Sequence, residues 1–427
     1  MTPDRLVVSS EKARRLAVTK QRLAGKFPAK PTADAIVSTI RDLAYVQWDP
    51  VSIVAPSHLL SLWARLGNYR PEELERLLWE EKRLFLHWTP AASIVLTEDY
   101  PLYLSLMKRY PESLSHSWNN HRVRARAFLA SHPELRRKIL KQLSGGPLTV
   151  GQFADHARTK RDGGDFEPGS DVSQMLFHLL MSGEVMVVGH EGAQNLWGLT
   201  EEFLPGVSGV RELSGSEAER EAAQRAIRAL GIAGPSDITY YFVRGRYEHL
   251  RETLARLEQE AVIRRVTVEG EDGKGERYVH SQDLPVLDAM DRRPLEPRLS
   301  LLPPFDNLIC STSWTERRFG FRYVREQFLP ADKRRYGTYV LPILWGSRFI
   351  GRIDPRMDRR SGSLVINAVH AEPGAPTDRE VGTELGESIG RLATFLGASS
   401  VSYTSRVPKA WKASLRSGSS RSRPLSG

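Results

Sequence analysis

The sequence of 427 residues has a single cysteine, Cys310, and no long apolar run. One cysteine excludes an internal disulfide framework and any zinc site built from several cysteines, which indicates a reducing compartment inside the cell. No uncharged apolar stretch approaches the ~20 residues that a membrane-spanning helix requires. The first residues, MTPDRLVVSSEKARR, lack the apolar core of a secretory signal. We therefore expect a cytoplasmic protein without a membrane partner.

Several motifs of common enzymes are also missing. The chain contains no Walker A loop, no HExxH zinc motif and no GxSxG nucleophile elbow. His116 and His121 are five residues apart, so on a helix they would point in different directions and would not share a metal ion. The sequence therefore predicts no metal and no cofactor, and it does not support ATP-driven, zinc-dependent or serine-hydrolase chemistry.

Acidic residues are fewer than basic ones, 51 against 61, and the formal net charge is +10. An excess of this size suits a polyanionic partner such as nucleic acid, although it would also keep an ordinary protein soluble. Residues 405–427 contain six Lys or Arg and no acid, and their Ser- and Gly-rich end is typical of a disordered basic arm. Such an arm could follow phosphates or be inert.

Two blocks of the chain share one order of predicted elements. Residues 133–200 and 216–282 each predict three helices followed by two strands, which is the winged helix-turn-helix arrangement. The third helix and the hairpin of such a module suit a DNA duplex, but winged helices also serve as protein scaffolds. The basic charge balance favours nucleic acid. Helices are also predicted in the N-terminal third, over 9–25, 32–43, 56–66, 71–81 and within 98–132.

The C-terminal third is rich in β-strand patterns. YVLPILWGSRFIGRID and GSLVINAVHAE predict strands, with turn signals at Gly346–Ser347 and Ser361–Gly362. The pattern is typical of a small barrel or curled sheet, and a helix over 376–396 is predicted to close the ordered region. Basic side chains in and beside its loops are candidate DNA contacts, together with a tryptophan at a hairpin tip: Lys333, Arg334, Arg335, Arg348, Arg352 and Trp345.

Near the N-terminus, the stretch YVQWDPVSIVAP (45–56) places polar residues within an apolar run. Side chains alternate in a strand, so Gln47 and Asp49 would share one face and Val46 and Trp48 the other. Pro50 would end the strand because it has no N–H to donate. The simplest interpretation is an edge strand whose polar face lies in water, and the alternative is a reactive pair of carboxylate and amide.

Two long stretches resemble a known family. LAYVQWDPVSIVAPSHLLSLWARLGNY (43–69) is similar to the signature of the AlkZ/AlkX (YcaQ-like) winged-helix DNA glycosylases, which carry a Gln-x-Asp or Gln-x-Gln catalytic pair in such a context. LLPPFDNLICSTSWTERRFGFRY and the following PADKRRYGTYVLPILWGSRFIGRID, within 301–354, resemble the β-barrel segment of the family. The resemblance extends almost to residue 400. It implies an α+β fold in which tandem winged helix-turn-helix modules and a small C-terminal β-barrel form a C-shape around DNA.

By that resemblance Gln47 and Asp49 are the catalytic pair, of the Gln-x-Asp subtype, in a monofunctional glycosylase. Cleavage of an N-glycosidic bond passes through an oxocarbenium-like state, which a carboxylate can stabilise while it activates water. Gln47 can hold that water as both donor and acceptor. The expected substrate is double-stranded DNA with N7-alkylguanine-type bases, in base excision repair. The unhooking of interstrand crosslinks is left open.

Two segments depart from the family pattern. Members near the Gln-x-Asp subtype often have Tyr-Trp-Ala-His-Glu-Ala where this chain has HWTPAA (87–92), of which Trp88 and the alanines agree. The segment before the third helix of a winged module, rich in Trp and Lys in the family, is here GGDFEPGSDVSQ (163–174) and has neither residue type. These departures concern substrate preference rather than the reaction.

Two other functions are compatible with the sequence. A winged-helix transcription regulator usually dimerises on a palindromic site, but no heptad segment is present and Gln47 and Asp49 would be unexplained. A non-catalytic architectural protein would bind DNA and release no base. We expect a monomer that associates with the nucleoid. The predicted domains are 1–132 (helical, with the QWD motif), 133–214 and 215–298 (winged helices), 299–404 (barrel and closing helix) and 405–427 (basic tail).

Overall fold

The structure, a computed structural model, describes residues 6–89, 91–115, 118–153, 171–271, 275–292, 294–404, 406–412 and 415. Residues 163–170 of the divergent segment 163–174 therefore lie outside the described residues, and only 171–174 are described. Contacts divide the chain into two compact units. Unit 1 comprises Met1–Glu73, Arg225–Tyr241 and Leu257–Gly427, and unit 2 comprises Leu74–Gln224 and Phe242–Arg256.

Helices and strands follow one another along the chain, which makes the fold α+β. The α-helices are α1 (Ser10–Lys20), α2 (Ala33–Leu43), α3 (Ser57–Leu66), α4 (Pro71–Glu75), α5 (Tyr100–Lys108), α6 (Asn119–Ser131), α7 (Pro133–Leu143), α8 (Asp171–Met181), α9 (Thr200–Phe203), α10 (Gly215–Leu230), α11 (Pro235–Tyr241), α12 (Leu250–Gln259), α13 (Leu284–Ala289), α14 (Thr312–Phe319) and α15 (Arg379–Phe395). The strands are β1 (Leu6–Val8), β2 (Val46–Gln47), β3 (Leu84–Trp88), β4 (Ala92–Leu96), β5 (Leu148–Thr149), β6 (Val185–Glu191), β7 (Gln194–Leu199), β8 (Ile232–Ala233), β9 (Ile263–Val268), β10 (Arg277–His280), β11 (Leu299–Leu301), β12 (Leu341–Trp345), β13 (Arg348–Asp358), β14 (Ser363–Ala371) and β15 (Ser400–Tyr403). No helix in the described part of the chain has the length and apolar character needed to cross a membrane.

The second and third helices lie where the sequence predicts them, whereas the first, predicted over 9–25, ends at Lys20. α2 begins after Thr32, whose side chain accepts a hydrogen bond from the N–H of Ala35, and its apolar face buries Ile40 completely. The helix ends at Ala44, where a φ of 68° turns the chain out of the helical path. This sharp end leads the chain directly into the QWD stretch.

Unit 2 contains a hairpin that the sequence did not predict. β3 pairs with β4 in antiparallel register, with Leu84 opposite Leu96 and Trp88 opposite Ala92. Four of the five residues in each strand are buried, so the apolar and polar alternation of a half-exposed strand is absent. The divergent segment 87–92, apart from residue 90, forms the closed end of this hairpin. The helical prediction over 98–132 is only partly right, because α5 and α6 are separate helices.

Both repeated blocks end in the two predicted strands, and in each block a short strand that was not predicted, β5 or β8, follows the first helix. In the first block, strands after α7 and α8 form a sheet of order β5-β7-β6. The short helix predicted over 149–157 begins as a 3-10 turn at Val150–Gln152, and residues 154–157 lie outside the described residues. In the second block, α10, β8, α11, α12, β9 and β10 follow in order, within a sheet β1-β9-β10-β8. The added strand β1 is parallel to β9 and was not predicted.

The C-terminal sheet is an open, curled half-barrel of order β11-β12-β13-β14-β15, and the sequence predicted a small barrel or a curled sheet here. Register shifts between Ile343 and Leu344 and between Asp354 and Pro355 interrupt its ladders, and such bulges bend strands. α15 contacts both edge strands, β11 and β15. The helix therefore covers the side on which a closed barrel would join its edges. The turns at Gly346–Ser347 and Ser361–Gly362 lie where they were predicted.

The described residues 406–412 of the basic C-terminal segment contact the rest of unit 1. The carbonyl of Arg406 accepts a hydrogen bond of 2.8 Å from the N–H of Val369 in β14. Trp411 is 1% exposed, and its indole N–H donates to the carbonyl of Pro376 at 2.9 Å. A buried tryptophan with a satisfied N–H anchors this segment beside α15.

Candidate active site

The QWD stretch connects α2 to α3 and is mostly loop rather than strand. Only Val46 and Gln47 are extended as β2, with Val46 fully buried and Gln47 half-buried. Trp48 and Asp49 lie beyond the end of the strand. The predicted alternation therefore holds for one residue pair, and the position of Asp49 is determined by the loop that follows.

Asp49 is buried, with 9% of its surface exposed. Its Oδ1 accepts a hydrogen bond of 3.2 Å from the N–H of Val51, and its carbonyl accepts one of 3.1 Å from the N–H of Ser57 at the start of α3. Its Oδ2 is buried and has no hydrogen-bond partner among the described residues. Burial raises the pKa of Asp49, and the Val51 N–H only partly opposes this shift. The interpretation of an edge strand with its polar face in water is therefore wrong.

Two aromatic residues next to Asp49 stack on each other. The indole of Trp48 is stacked on the imidazole of His58, with ring centroids 4.1 Å apart and an angle of 11° between the planes. Burial lowers the pKa of His58 to about 3, although the backbone of Asp49 opposes the shift. His58 is therefore a neutral, flat wall of the site at neutral pH. Nothing in the spacing of His58 in the sequence indicates this stack.

Tyr339, just before β12, lies near Asp49, and the sequence analysis did not single it out. Its hydroxyl donates to the carbonyl of Ala55 at 3.4 Å. Burial raises the pKa of Tyr339, and the negative charge of Asp49 raises it further, so the phenol stays protonated near the carboxylate. Tyr339 lies 290 positions after Asp49, and no local pattern links the two residues.

The loop after Asp49 is attached to the half-barrel. The N–H of Met357 in β13 donates to the carbonyl of Ile53 at 3.1 Å. The guanidinium of Arg359 donates to the carbonyl and to the hydroxyl of Ser52, at 3.0 and 2.7 Å. Val51, between Asp49 and these contacts, is 48% exposed. These hydrogen bonds fix the loop that follows Asp49. The same loop exposes the apolar side chain of Val51 to solvent, two positions after Asp49.

A buried ion pair positions α3, the helix that follows this loop. The guanidinium of Arg65 binds both carboxylate oxygens of Asp306 at 2.5 and 3.0 Å, and both side chains are completely buried. Arg65 also donates to the carbonyl and to the side-chain oxygen of Gln21 in the turn after α1. This network ties α3 to the N-terminal helices and to the segment before α14.

The predicted DNA contacts lie in two places within unit 1. Lys333 and Arg335 are exposed in the segment that leads to Tyr339, and Arg348 is exposed at the turn between β12 and β13, next to the half-buried Trp345. Arg334 is half-buried and donates to the carbonyl of Leu329 and to the hydroxyl of Thr338.

Arg352 is different, because only 5% of its surface is exposed. Its guanidinium forms an ion pair of 2.7 Å with Glu372 and packs over the rings of Phe321 and Tyr336, at 4.2 and 4.3 Å. This engagement contradicts the prediction that Arg352 contacts DNA, because a phosphate would have to displace buried contacts. Arg352 joins β13 to the preceding segment instead.

The described residues contain no group of three or more His, Cys, Asp or Glu side chains placed to hold a metal ion. The chemistry that the site can supply is that of a single carboxylate. Its orientation is fixed through Oδ1, and its Oδ2 can accept a proton or face a positive charge. The neutral imidazole of His58 lies against the backbone of Asp49, and the protonated phenol of Tyr339 is near the carboxylate.

Residues 40–395 match the family model described as DNA glycosylase AlkZ-like. The match covers most of the chain, including Gln47, Asp49 and Tyr339. Among solved structures, the DNA glycosylase AlkZ of Streptomyces sahachiroi is similar to this chain, with a TM-score of 0.65. The alignment has 17% sequence identity and covers 94% of this chain and 100% of the other. At that identity the likeness concerns the fold.

Proposed function

The chain belongs to the AlkZ-like family of DNA glycosylases, and on that premise we propose that it hydrolyses the N-glycosidic bond of N-alkylated purines, with Asp49 and Gln47 as its catalytic pair. One observation carries the assignment of the site. Asp49 is a buried carboxylate with a raised pKa, one anchored oxygen and one oxygen without a partner among the described residues. Perturbed carboxylates of this kind concentrate at reactive sites.

The reaction needs a negative charge beside the sugar. As the glycosidic bond lengthens, positive charge develops on the deoxyribose, and the ionised carboxylate of Asp49 stabilises it. Oδ2 then accepts the proton of the attacking water, whose position the amide of Gln47 would fix as both donor and acceptor. The bond from water oxygen to the anomeric carbon forms as the bond to the base nitrogen breaks, and the base carries away the bonding electrons.

The leaving group explains why one carboxylate would be sufficient. A guanine alkylated at N7 is already cationic, so it departs neutral and requires no proton from a general acid. His58 could not supply such a proton near neutral pH, because its pKa is lowered to about 3. The arrangement therefore favours N7-alkylguanine-type bases over neutral, undamaged purines. The same chemistry would apply to the cationic N7 adducts of an interstrand crosslink.

DNA is the partner of the family, and we assign its binding surface to two modules and a sheet. Residues 133–214 and 215–298 have the element order of winged helices, which present a helix and a hairpin to a duplex. Residues 1–132 carry the QWD motif, 299–404 form the half-barrel, and the exposed cations Lys333, Arg335 and Arg348 would contact phosphates. The rest of the basic segment 405–427 adds to this charge. We propose that a single copy acts on the duplex.

The test is the release of a base from defined DNA. A duplex with one N7-methylguanine is incubated with excess enzyme, and free N7-methylguanine is measured by mass spectrometry alongside alkali-labile sites. We expect base release and an intact backbone before alkali, as for a monofunctional enzyme. A borohydride-trapped covalent adduct would instead indicate a lyase. If the enzyme bound a discrete site on undamaged DNA and released no base, a regulatory function would replace the proposal.

A further inference from the structure

The most exposed large apolar side chain in the described part of the protein is Phe328. It is 71% exposed and lies in the 3-10 turn Glu326–Phe328, in the segment 324–335 between α14 and β12. Val324, four residues earlier, is 43% exposed. The apolar surface of a phenylalanine is normally removed from water, so exposing it in a folded segment is unfavourable unless a partner covers it.

The base of this segment is held in one conformation. The buried carboxylate of Glu326 accepts hydrogen bonds from the N–H groups of Tyr336 and Gly337, at 2.7 and 3.2 Å. Asp354 in β13 accepts from the next two N–H groups, those of Thr338 and Tyr339, at 3.1 and 3.2 Å. Two carboxylates thus fix four successive backbone N–H groups, and the segment before them projects as a closed loop.

The tip of the loop is also fixed. Arg325 donates to the carbonyls of Pro304 and Cys310 at 3.1 and 2.8 Å, and Arg334 donates to the carbonyl of Leu329 at 2.9 Å. Phe328 contacts the edge of Phe305, with ring centroids 6.2 Å apart. Phe328 is therefore exposed on a rigid support rather than on a loose segment, which reduces the entropy lost when it meets a partner.

The charge around Phe328 indicates the chemistry of that partner. Residues 324–335 contain four cations and two acids, and one of the acids, Glu326, is buried at the base of the loop. Lys333 and Arg335 are exposed, as is the remaining acid, Asp332. A hydrophobic side chain beside exposed cations suits a duplex, which offers phosphates outside and flat apolar base faces inside.

The loop is also close to Tyr339 along the chain. Phe328 is two residues from Glu326, and Tyr339 is two residues from Gly337, to which Glu326 is hydrogen bonded. Two residues span at most about 7 Å, so Phe328 and Tyr339 lie within roughly 20 Å of one another, which is at most about six base-pair steps. The negative charge of Asp49 raises the pKa of the Tyr339 phenol, so Tyr339 is near Asp49.

We propose that Phe328 is a wedge that enters the base stack near the base on which Asp49 acts, while Lys333 and Arg335 hold the adjacent phosphates. Separating two stacked bases loosens the nucleotide next to the wedge, which makes its glycosidic bond accessible to the carboxylate. This proposal rests on the proposed function only where it states that the wedge assists base release. The insertion itself is measured without turnover.

The first measurement uses a 2-aminopurine beside N7-methylguanine in the duplex, with the enzyme in an Asp49→Asn background so that no base is released. Binding should raise the 2-aminopurine fluorescence, and Phe328→Ala should abolish the rise at saturating protein while Phe328→Trp retains it. Val7→Ala is the matched control, because Val7 is also exposed, at 59%, in β1. A rise in Phe328→Ala equal to that of the Asp49→Asn parent would overturn the wedge.

The second measurement is single-turnover base release with Asp49 intact. Phe328→Ala should lower the rate about ten- to hundredfold, the range typical of losing an aromatic–base stack, and Phe328→Trp should restore it. The double variant Lys333→Ala/Arg335→Ala should lower the slope of log K against log salt by about two and keep the fluorescence rise at saturation. Wild-type protein that releases no base would contradict the proposed function, whereas a normal rate in Phe328→Ala would contradict the wedge alone.

Discussion

The N–H of Val51 donates a hydrogen bond of 3.2 Å to Oδ1 of Asp49, while the Oδ2 of the same carboxylate is buried and has no partner in the part of the chain that the structure describes. One oxygen orients the group and the other keeps its capacity to accept a proton. The hydrogen bond is local, since donor and acceptor are two positions apart in the chain, whereas the burial comes from distant contacts. The predictions for catalysis depend on Oδ2.

Asp49→Asn should abolish most base release. The change keeps the shape and the acceptor for Val51, but it removes the charge and the basic oxygen, so we expect a rate loss of at least about 10²–10⁴. Gln47→Ala should reduce the rate less, because it removes a positioning group. Single-turnover release of N7-methylguanine measures both. Asp42→Asn is the control, because Asp42 lies at the end of α2 in an exposed ion pair with Arg22. Parental rates for a folded Asp49→Asn variant would exclude Asp49 from catalysis.

The rate should fall in acid with a midpoint above the pKa of an ordinary aspartate, about 3.9. Burial raises the pKa of Asp49, and only its ionised form can act as a base. No second limb should appear near pH 6.5, because burial lowers the pKa of His58 to about 3 and the imidazole does not titrate there. A single-turnover profile from pH 4 to 9 is the measurement. A histidine-like limb that disappears in His58→Phe would show that His58 takes part in proton transfer.

Asp49→Asn should also change how stability depends on pH. The folded pKa of Asp49 is raised, so the folded state retains its proton to higher pH than the unfolded state. The stabilisation from this protonation is complete below the unfolded pKa and is lost as pH rises through the folded pKa. The melting temperature of the wild type, relative to Asp49→Asn, should therefore fall between acid and neutral pH. An unchanged difference across that range would mean that Asp49 is not perturbed.

The ion pair between Arg65 and Asp306 should be essential for unit 1. Arg65→Ala leaves a buried carboxylate without its partner, so we expect a loss of about 3–5 kcal/mol in the free energy of unfolding. Lys26→Ala is the matched control, because its pair with Glu296 is mostly exposed and should contribute about 0–1 kcal/mol. Urea unfolding followed by tryptophan fluorescence measures both. Equal effects of the two substitutions would contradict the role assigned to the buried pair.

Affinity for undamaged duplex should fall steeply with salt, because cations contact phosphates. Deleting residues 416–427, which contain Arg416, Arg421 and Arg423, should reduce the salt slope by up to about three. The deletion begins after Leu415, so that the buried Trp411 keeps its contact with Pro376. Fluorescence anisotropy at several salt concentrations is the measurement. An identical dependence of affinity on salt after the deletion would show that residues 416–427 do not contact phosphates.

Local signals predicted many of the elements correctly. The cap at Thr32 located α2, and the glycine turns at 346 and 362 located the hairpins of the half-barrel, because caps and turns depend on a few adjacent residues. The hairpin of β3 and β4 was missed because both strands are buried and show no alternation. The strand pattern did not distinguish a closed barrel from a curled sheet, because the open edge depends on where α15 packs.

The candidate site was only partly predictable for the same reason. Gln47 and Asp49 were named from a resemblance, and their spacing alone did not distinguish a reactive pair from an edge strand. The burial of Asp49 depends on the loop that Met357 and Arg359 hold. Tyr339 reaches the site through the tertiary fold, and no periodicity could have indicated it. The exposure of Phe328 similarly depends on the carboxylate of Glu326.

The parallel strand β1 has a consequence for the time course of synthesis. Its residues 6–8 pair with 266–268 of β9, and Val8 is buried in a core with Leu16 and Val266. At about 5–20 residues per second, a ribosome needs roughly 13–50 s to make the partner strand after β1 has formed. During that interval the apolar residues of β1 have no sheet to join, while most of unit 2 is completed as one continuous stretch. The first strand made is therefore among the last to be incorporated, and conditions that slow translation should lengthen the exposure of the nascent N-terminus to chaperones and proteases.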